Sequence, residues 1–385
     1  MFRPTPLLTD LVRLPSVNPM GRSDIPLSLS FESRVTDYLD SKFRELKADY
    51  ERQDVAPGRQ NIVAIYEPRT PATQTVLWEA HQDTVPVDNM TIDPFAAVVK
   101  DGRLYGRGAC DVKAGIACML AAFSRLITER PAGQTRVIVA FTIDEEHTFL
   151  GVQHLMKSLR PIDFAIAAEP TCLDLVTSHK GVARWQIETT GVACHSSRPE
   201  DGVNAVYRMA KIVSAVEAYA GSLRTSRRDP LLGEPTISLG RIEGGAAPNT
   251  VPDLCRIILD RRLLPGESTA QAVADLDRFL KSFPGVSFPI TTHPPHLDCP
   301  PLAQAKSPWV DRLAAIAGEV SGRTVSRLAV PYGTDASTIA EAGIPAVVFG
   351  PGDIAQAHTK DEWVELAQVD QAAEILFRLA THTGE

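Results

Sequence analysis

Residues 136–146 read RVIVAFTIDEE. Apart from Arg136, the first eight are apolar or β-branched. That suits a strand buried on both faces, as in parallel sheets flanked by helices. The last three, Asp144, Glu145 and Glu146, are consecutive carboxylates at a strand end, where they repel one another unless a cation is near. Adjacent side chains in extended chain point apart, so Glu145 and Glu146 can divide the work, one ligating a metal and the other handling protons. The competing reading of this segment alone is a solvated acidic loop.

Working outward, residues 61–66 and 75–80 read as short strands and 112–127 as a helix. In that helix Val112, Ile116, Met119, Leu120, Phe123 and Ile127 recur at helical spacing. A further strand at 164–168 ends on Glu169-Pro170. This alternation predicts helices packed on a mixed, mostly parallel sheet. From residue 180 the pattern changes to strand 182–190, helix 203–219, strands 236–242 and 254–262, helix 269–283 and strand 286–292. That β-α-β-β-α-β order fits a ferredoxin-like split βαβ domain. Helices at 309–320 and 369–380 and a strand at 346–349 follow. The expected organisation is an α/β domain made of 1–179 and 293–385, interrupted by an inserted domain at 180–292.

A chain of 385 residues has room for two or three domains. With 44% hydrophobic and 22% charged residues it is not disordered. The formal charge of -8 argues against a general nucleic-acid binder, which needs surplus Lys and Arg. No apolar run approaches the roughly 20 residues a bilayer requires. The opening MFRPTPLLTDLVRLPSVNP is broken by prolines and charges and lacks a signal core. Cysteines 110, 118, 172, 194, 255 and 299 form no C-x-x-C pair and read as reduced thiols of a cytoplasmic protein. No repeat or low-complexity tract stands out.

Other metal-type residues also fall at expected strand ends and loops, where α/β folds place their sites. His81 and Asp83, in WEAHQDTVP, point the same way in extended chain, so one can ligate a metal while the other, a carboxylate, holds its imidazole. Asp111 sits in LYGRGACDVKAG at a helix start. An N-cap is its commonplace role, but a carboxylate on a glycine-rich turn can also bridge two cations. A dinucleotide fingerprint fails there, because position 111 would have to be glycine. Glu169 ends AAEPT, and His358 lies in GPGDIAQAHTKDEW. Two histidines with three carboxylates, and no thiolate, are the inventory of two divalent ions sharing one bridging carboxylate, which suits zinc, cobalt or manganese. H-E-x-x-H, G-x-S-x-G and P-loop motifs are absent. The pair His293 and His296 reads as structural, and Lys180 lacks the company of a pyridoxal phosphate site.

The ordered set HQDTVP, YGRGACDVKAG, DEE, AAEPT, HKG, CHSSRPEDGVNAV, GGAAPNTVPD, DRRLLPGE and GPGDIAQAH resembles the di-zinc aminoacylase and carboxypeptidase superfamily over nearly the whole chain. The resemblance implies a zinc-exopeptidase-like catalytic domain with an inserted lid through which two subunits form a homodimer. It implies that His81 and Glu169 ligate one zinc or cobalt ion, Glu146 and His358 the other, and that Asp111 bridges them. Asp83 would steady His81, Glu145 would be the general base, and His195 would reach the partner subunit's active site. Asn249 and Arg262 would bind substrate carboxylate, and Gly333 and Thr334 would belong to a substrate-contacting loop. HKG, DRRLLPGE, LDCPP and GPGDIAQAH look most like the acetylornithine deacetylase branch, whereas PYGTDAS (331–337) looks more like the succinyl-diaminopimelate desuccinylase and peptidase pattern. The implied activity is hydrolysis of the amide of a small N-acyl amino acid, with N2-acetyl-L-ornithine as leading substrate. Other acyl-amino-acid hydrolases or dipeptidases, a non-catalytic metal-binding relative and a nicotinamide dehydrogenase are the rivals.

Overall fold

The computed structural model describes residues 1–158, 161–304 and 306–382. The chain divides into two compact units. One comprises Met1–Thr177, Gln304–Leu328 and Thr334–Glu385, the other Ser178–Ala303 and Ala329–Gly333.

The first unit is built on an eight-stranded mixed sheet. At its centre lie Thr135–Thr142, Gln74–His81, Phe164–Ala167 and Ala346–Val348, joined in parallel. Antiparallel neighbours flank them, Arg59–Tyr66 and Asp49–Ala56 on one side and Leu175–His179 on the other, and Arg327–Val330 follows Leu175–His179 as the eighth strand. The central strands are hydrophobic on both faces, and the buried set includes Leu77 and Ile138 as well as Trp78, Val139 and Phe141. Each such side chain stabilises the fold by about 1.5–3 kcal/mol relative to exposure. Helices Pro4–Val12, Lys113–Glu129, Pro308–Ser321 and Leu366–Thr381 bury their apolar stripes in the same core as Trp78, Val139 and Phe141.

Strand register positions the site. His81 lies opposite Thr142 and Glu79 opposite Ala167. The residues that leave these three parallel strands therefore emerge side by side at their carboxyl ends, where ligand sites of open α/β sheets form.

The second unit is an antiparallel sheet in the order Thr236–Gly244, Leu254–Leu263, Gly181–Thr190, Ile290–Thr292, with Leu297–Cys299 also paired on Gly181–Thr190. Leu254–Leu263 alternates as a half-buried strand should, burying Cys255, Ile257, Leu259, Arg261 and Leu263. Helices Ala205–Ser226 and Thr269–Ser282 cover that face. Each starts on a side-chain cap: Asn204 accepts from the Tyr207 amide and Ser268 from the Gln271 amide.

Some elements differ from the expectation. The N-terminal prolines, which in the sequence only interrupt an apolar run, open a helix that the sequence reading does not expect: Pro4 and Pro6 sit in its first turn, where a missing N–H costs nothing. The strand expected over 286–292 shrinks to Ile290–Thr292, because Pro289 has no N–H to give the ladder. Among the described residues no helix is long and apolar enough to cross a membrane.

Candidate metal centre

His81 ends the Gln74–His81 strand and is buried. Its Nδ1 lies 3.0 Å from the backbone oxygen of Asp83 and 3.6 Å from that residue's carboxylate. Its Nε2 lies 3.1 Å from Asp111 Oδ1 and 3.7 Å from Glu169 Oε1. His358 Nε2 lies 3.2 Å from the other Asp111 oxygen, Oδ2, and 3.3 Å from Glu146 Oε2. Asp111 thus stands between two imidazoles, one on each carboxylate oxygen. His81, Asp111 and Glu146 offer ligand atoms within 4.8 Å of one another, as do His81, Glu145 and Glu169.

Each piece has its own support. Asp83 is fully buried and accepts the amides of Glu145 and Glu146, both at 3.2 Å, and the Asn18 side-chain amide at 2.8 Å. It therefore fixes the turn carrying the carboxylates as well as His81. That turn reverses at Asp144, whose φ is +67°, a left-handed conformation that aspartate tolerates better than most residues. The Asp144 carboxylate is held by Arg59 at 2.8 Å and Asn18 at 2.9 Å. The loop of Asp111 is held by Glu362, a residue the sequence reading did not single out. Its carboxylate accepts the backbone amides of Gly108, Cys110 and Asp111 at 3.1, 2.8 and 3.0 Å and pairs with buried Arg107 at 2.7 Å. No spacing rule marks it, because its partners lie about 250 residues away and are mostly backbone. The only sequence signal is a carboxylate four residues after His358.

The electrostatics follow from this crowding. Burial pushes the Glu145 carboxyl well above the usual range, with His81 opposing and Glu169, Glu146 and Asp111 adding to the rise. Glu169 is raised likewise, by burial and then Asp111. Asp111 goes the other way: burial opposes ionisation, but the two imidazoles hold its carboxyl well below the ordinary value. His358, bonded to Asp111 and Glu146, is pushed up to about 11. Buried carboxylates at this density need compensating positive charge. Glu146 Oε1 is also buried without a hydrogen-bond partner. An orphaned acceptor among imidazoles and carboxylates fits a divalent cation of the zinc, cobalt or manganese class.

Five site candidates remain. In the second unit His195 is exposed on a loop whose backbone pairs with the segment of Asn249: Ser196 N donates to Asn249 O at 3.1 Å, and His195 bridges to Thr250. The Ser197 amide donates to His195 Nδ1 at 3.2 Å, leaving Nε2 as the donor of the neutral ring. Arg262 lies against Asp260, Nε to Oδ1 at 2.7 Å. At Gly333 a side chain would run into Cys299 Sγ at 2.6 Å. Thr334, in the first unit, is buried and caps helix Asp335–Glu341 by accepting the Ala336 amide.

Residues 77–382 match the model of peptidase family M20/M25/M40. An acetylornithine deacetylase from Myxococcus xanthus is 30% identical over 97% of this chain and 96% of its own. Among solved structures, an M20 family metallo-carboxypeptidase from Sulfolobus solfataricus superposes with a TM-score of 0.77 at 18% identity, covering 99% of both chains. A dinuclear metal-binding M20 peptidase from Bacillus subtilis superposes with a TM-score of 0.70 at 18% identity, covering 98% of this chain and 97% of its own. At such identities the superpositions establish the fold.

Proposed function

The chain belongs to peptidase family M20/M25/M40 and is an amidohydrolase, and on that footing we propose that it removes the acyl group of an N-acyl-L-amino acid, N2-acetyl-L-ornithine first among them, at a centre of two divalent cations. The observation that carries this reading is that each oxygen of Asp111 faces an imidazole, His81 or His358, and each imidazole lies beside a further carboxylate, Glu169 or Glu146. His81 and Glu169 would hold one cation, Glu146 and His358 the other, with Asp111 shared. When bound, zinc or cobalt would supply Lewis-acid polarisation of the amide carbonyl and of a water.

The chain's own groups then divide the work. Glu145, a carboxylate within the cluster but outside the proposed ligand set, accepts the water proton as oxygen adds to the carbonyl carbon. The C–N bond breaks and Glu145 returns the proton to the leaving amine. Asp83 keeps His81 oriented and locks the turn that separates Glu145 from Glu146. His195, with Nε2 as donor, would hydrogen-bond the developing oxyanion of the partner subunit's substrate. Arg262 and Asn249 would hold the α-carboxylate, Arg262 exchanging Asp260 for substrate. Gly333 and Thr334 would shape the loop beside it.

A homodimer through the inserted domain is part of this proposal. Strand Thr236–Gly244 forms one end of its sheet, is largely exposed and displays Ile242. An unpaired edge of that kind is a template for a second chain. None of the six cysteines is in a disulfide, which suits the reducing cytoplasm. The 30% identity to a named deacetylase over nearly the whole chain favours acetylornithine, while PYGTDAS favours a succinylated diamino acid as second choice. The test is kcat/KM of the zinc- or cobalt-loaded protein on N2-acetyl-L-ornithine beside N-succinyl-diaminopimelate, other acyl amino acids and dipeptides. The proposal expects acetylornithine to lead, and a dipeptide leading by tenfold would overturn the substrate assignment.

A further inference from the structure

Glu362 and Arg107 form a fully buried ion pair whose hydrogen bonds reach no side chain of the five proposed ligands. The bonds of Glu362 go instead to the backbone of the loop that carries one of them, Asp111. Oε1 of Glu362 accepts from the amides of Cys110 and Asp111, and Oε2 accepts from the Gly108 amide and Arg107. The backbone oxygen of Glu362 accepts the Gly106 amide at 3.0 Å. One residue therefore accepts four backbone amides of the loop 106–111, besides the Arg107 side chain. The other end of the same segment is tied down too: the Thr91 amide donates to Lys360 O at 2.8 Å, and Asn89 Nδ2 donates to His358 O at 3.3 Å. Arg107 completes the joint by donating to Pro86 O and Asn89 Oδ1, each at 3.3 Å.

We propose that Glu362, with Arg107, is a positioning residue of the metal centre: it clamps the loop bearing Asp111 to the segment bearing His358, so that the shared carboxylate and one terminal imidazole are held at a fixed separation. A buried ion pair costs desolvation that hydrophobic residues would avoid. Here that cost secures loop amides lying outside any helix or strand, which would otherwise be left without acceptors. Glycines at 106 and 108 make the loop pliable, with φ of +150° and +80°, so its shape depends on an external acceptor. His358 itself sits at φ +61° and needs a firm anchor on each side.

This inference rests on the two-cation reading, and the experiment separates the two. Zinc affinity of the full-length protein is measured by chelator competition, and the visible spectrum of its cobalt form is recorded, for wild type and Glu362→Gln. Glutamine is nearly the same size but turns an NH2 toward Arg107 and the Gly108 amide. Affinity should fall by about 10–100-fold, as for other residues that orient metal ligands. The cobalt spectrum should shift, because the Asp111 and His358 ligands move. Glu362→Asp keeps the charge but is one methylene short of spanning all three amides. It should lose less affinity than the glutamine variant, with a cobalt spectrum shifted the same way, and carries the test if that variant does not fold. Wild-type affinity and an unshifted spectrum in either folded variant would overturn the clamp. Failure of the wild-type protein to bind zinc would instead overturn the two-cation reading beneath it.

Discussion

Asp111 must satisfy two imidazoles at once, His81 on one oxygen and His358 on the other. Asp111→Asn keeps the shape and removes the shared charge, so both cations should be lost together, and metal analysis after dialysis checks this. Glu145 and Glu146 should separate cleanly. Glu145→Gln should lower kcat by about 100-fold or more with metal content intact, whereas Glu146→Gln should cost metal. Metal loss in the first variant would reverse their roles. The protonation pattern sets a pH dependence. Without metal, His358 keeps its proton up to about 11, and His81, Glu145 and Glu169 are raised as well. Cations must displace protons from the ligands, so the metal-free protein binds more protons and zinc affinity rises with pH. Calorimetry in buffers of differing ionisation enthalpy should find proton release, and proton uptake would contradict the arrangement.

Helix Leu150–Ser158 shows how packing reaches the chemistry. A Cβ at Gly151 would meet the backbone oxygen and nitrogen of Ile143 at 2.3 and 2.4 Å, one residue before the carboxylate turn. Gly151→Ala should therefore push the helix off, costing about 1–3 kcal/mol, and should lower activity by displacing Glu145 and Glu146. Denaturation and kinetics measured on the same sample check both. At this scale the sequence was readable where periodicity was strong. RVIVAFTI declared a buried strand, and the apolar spacing from Val112 to Ile127 declared the helix Lys113–Glu129. Three-residue strands such as Val98–Lys100 and Leu297–Cys299 are too short for a period. The prolines that open Pro4–Val12 pass as breakers unless their position in the first turn is known. The candidate metal ligands stood out because chemistry restricts such residues to a few types at strand ends. Glu362 was not, because its role is to accept backbone amides from a loop distant in sequence, which leaves no compositional mark.

His195 belongs to the second compact unit and Glu145 to the first, and in the proposed dimer they would serve one reaction across two subunits. His195→Ala and Glu145→Ala dimers should each be nearly inactive, while subunit exchange between them should restore part of the activity, since some mixed sites keep both groups. No recovery despite verified exchange would refute a trans-acting histidine. Beneath every such test lies the pair of cations itself. Crystals grown with zinc and measured on both sides of its absorption edge examine that pair most directly. The account predicts two anomalous peaks flanking Asp111, one against His81 and Glu169 and the other against Glu146 and His358; peaks remote from Asp111, or none, would contradict it.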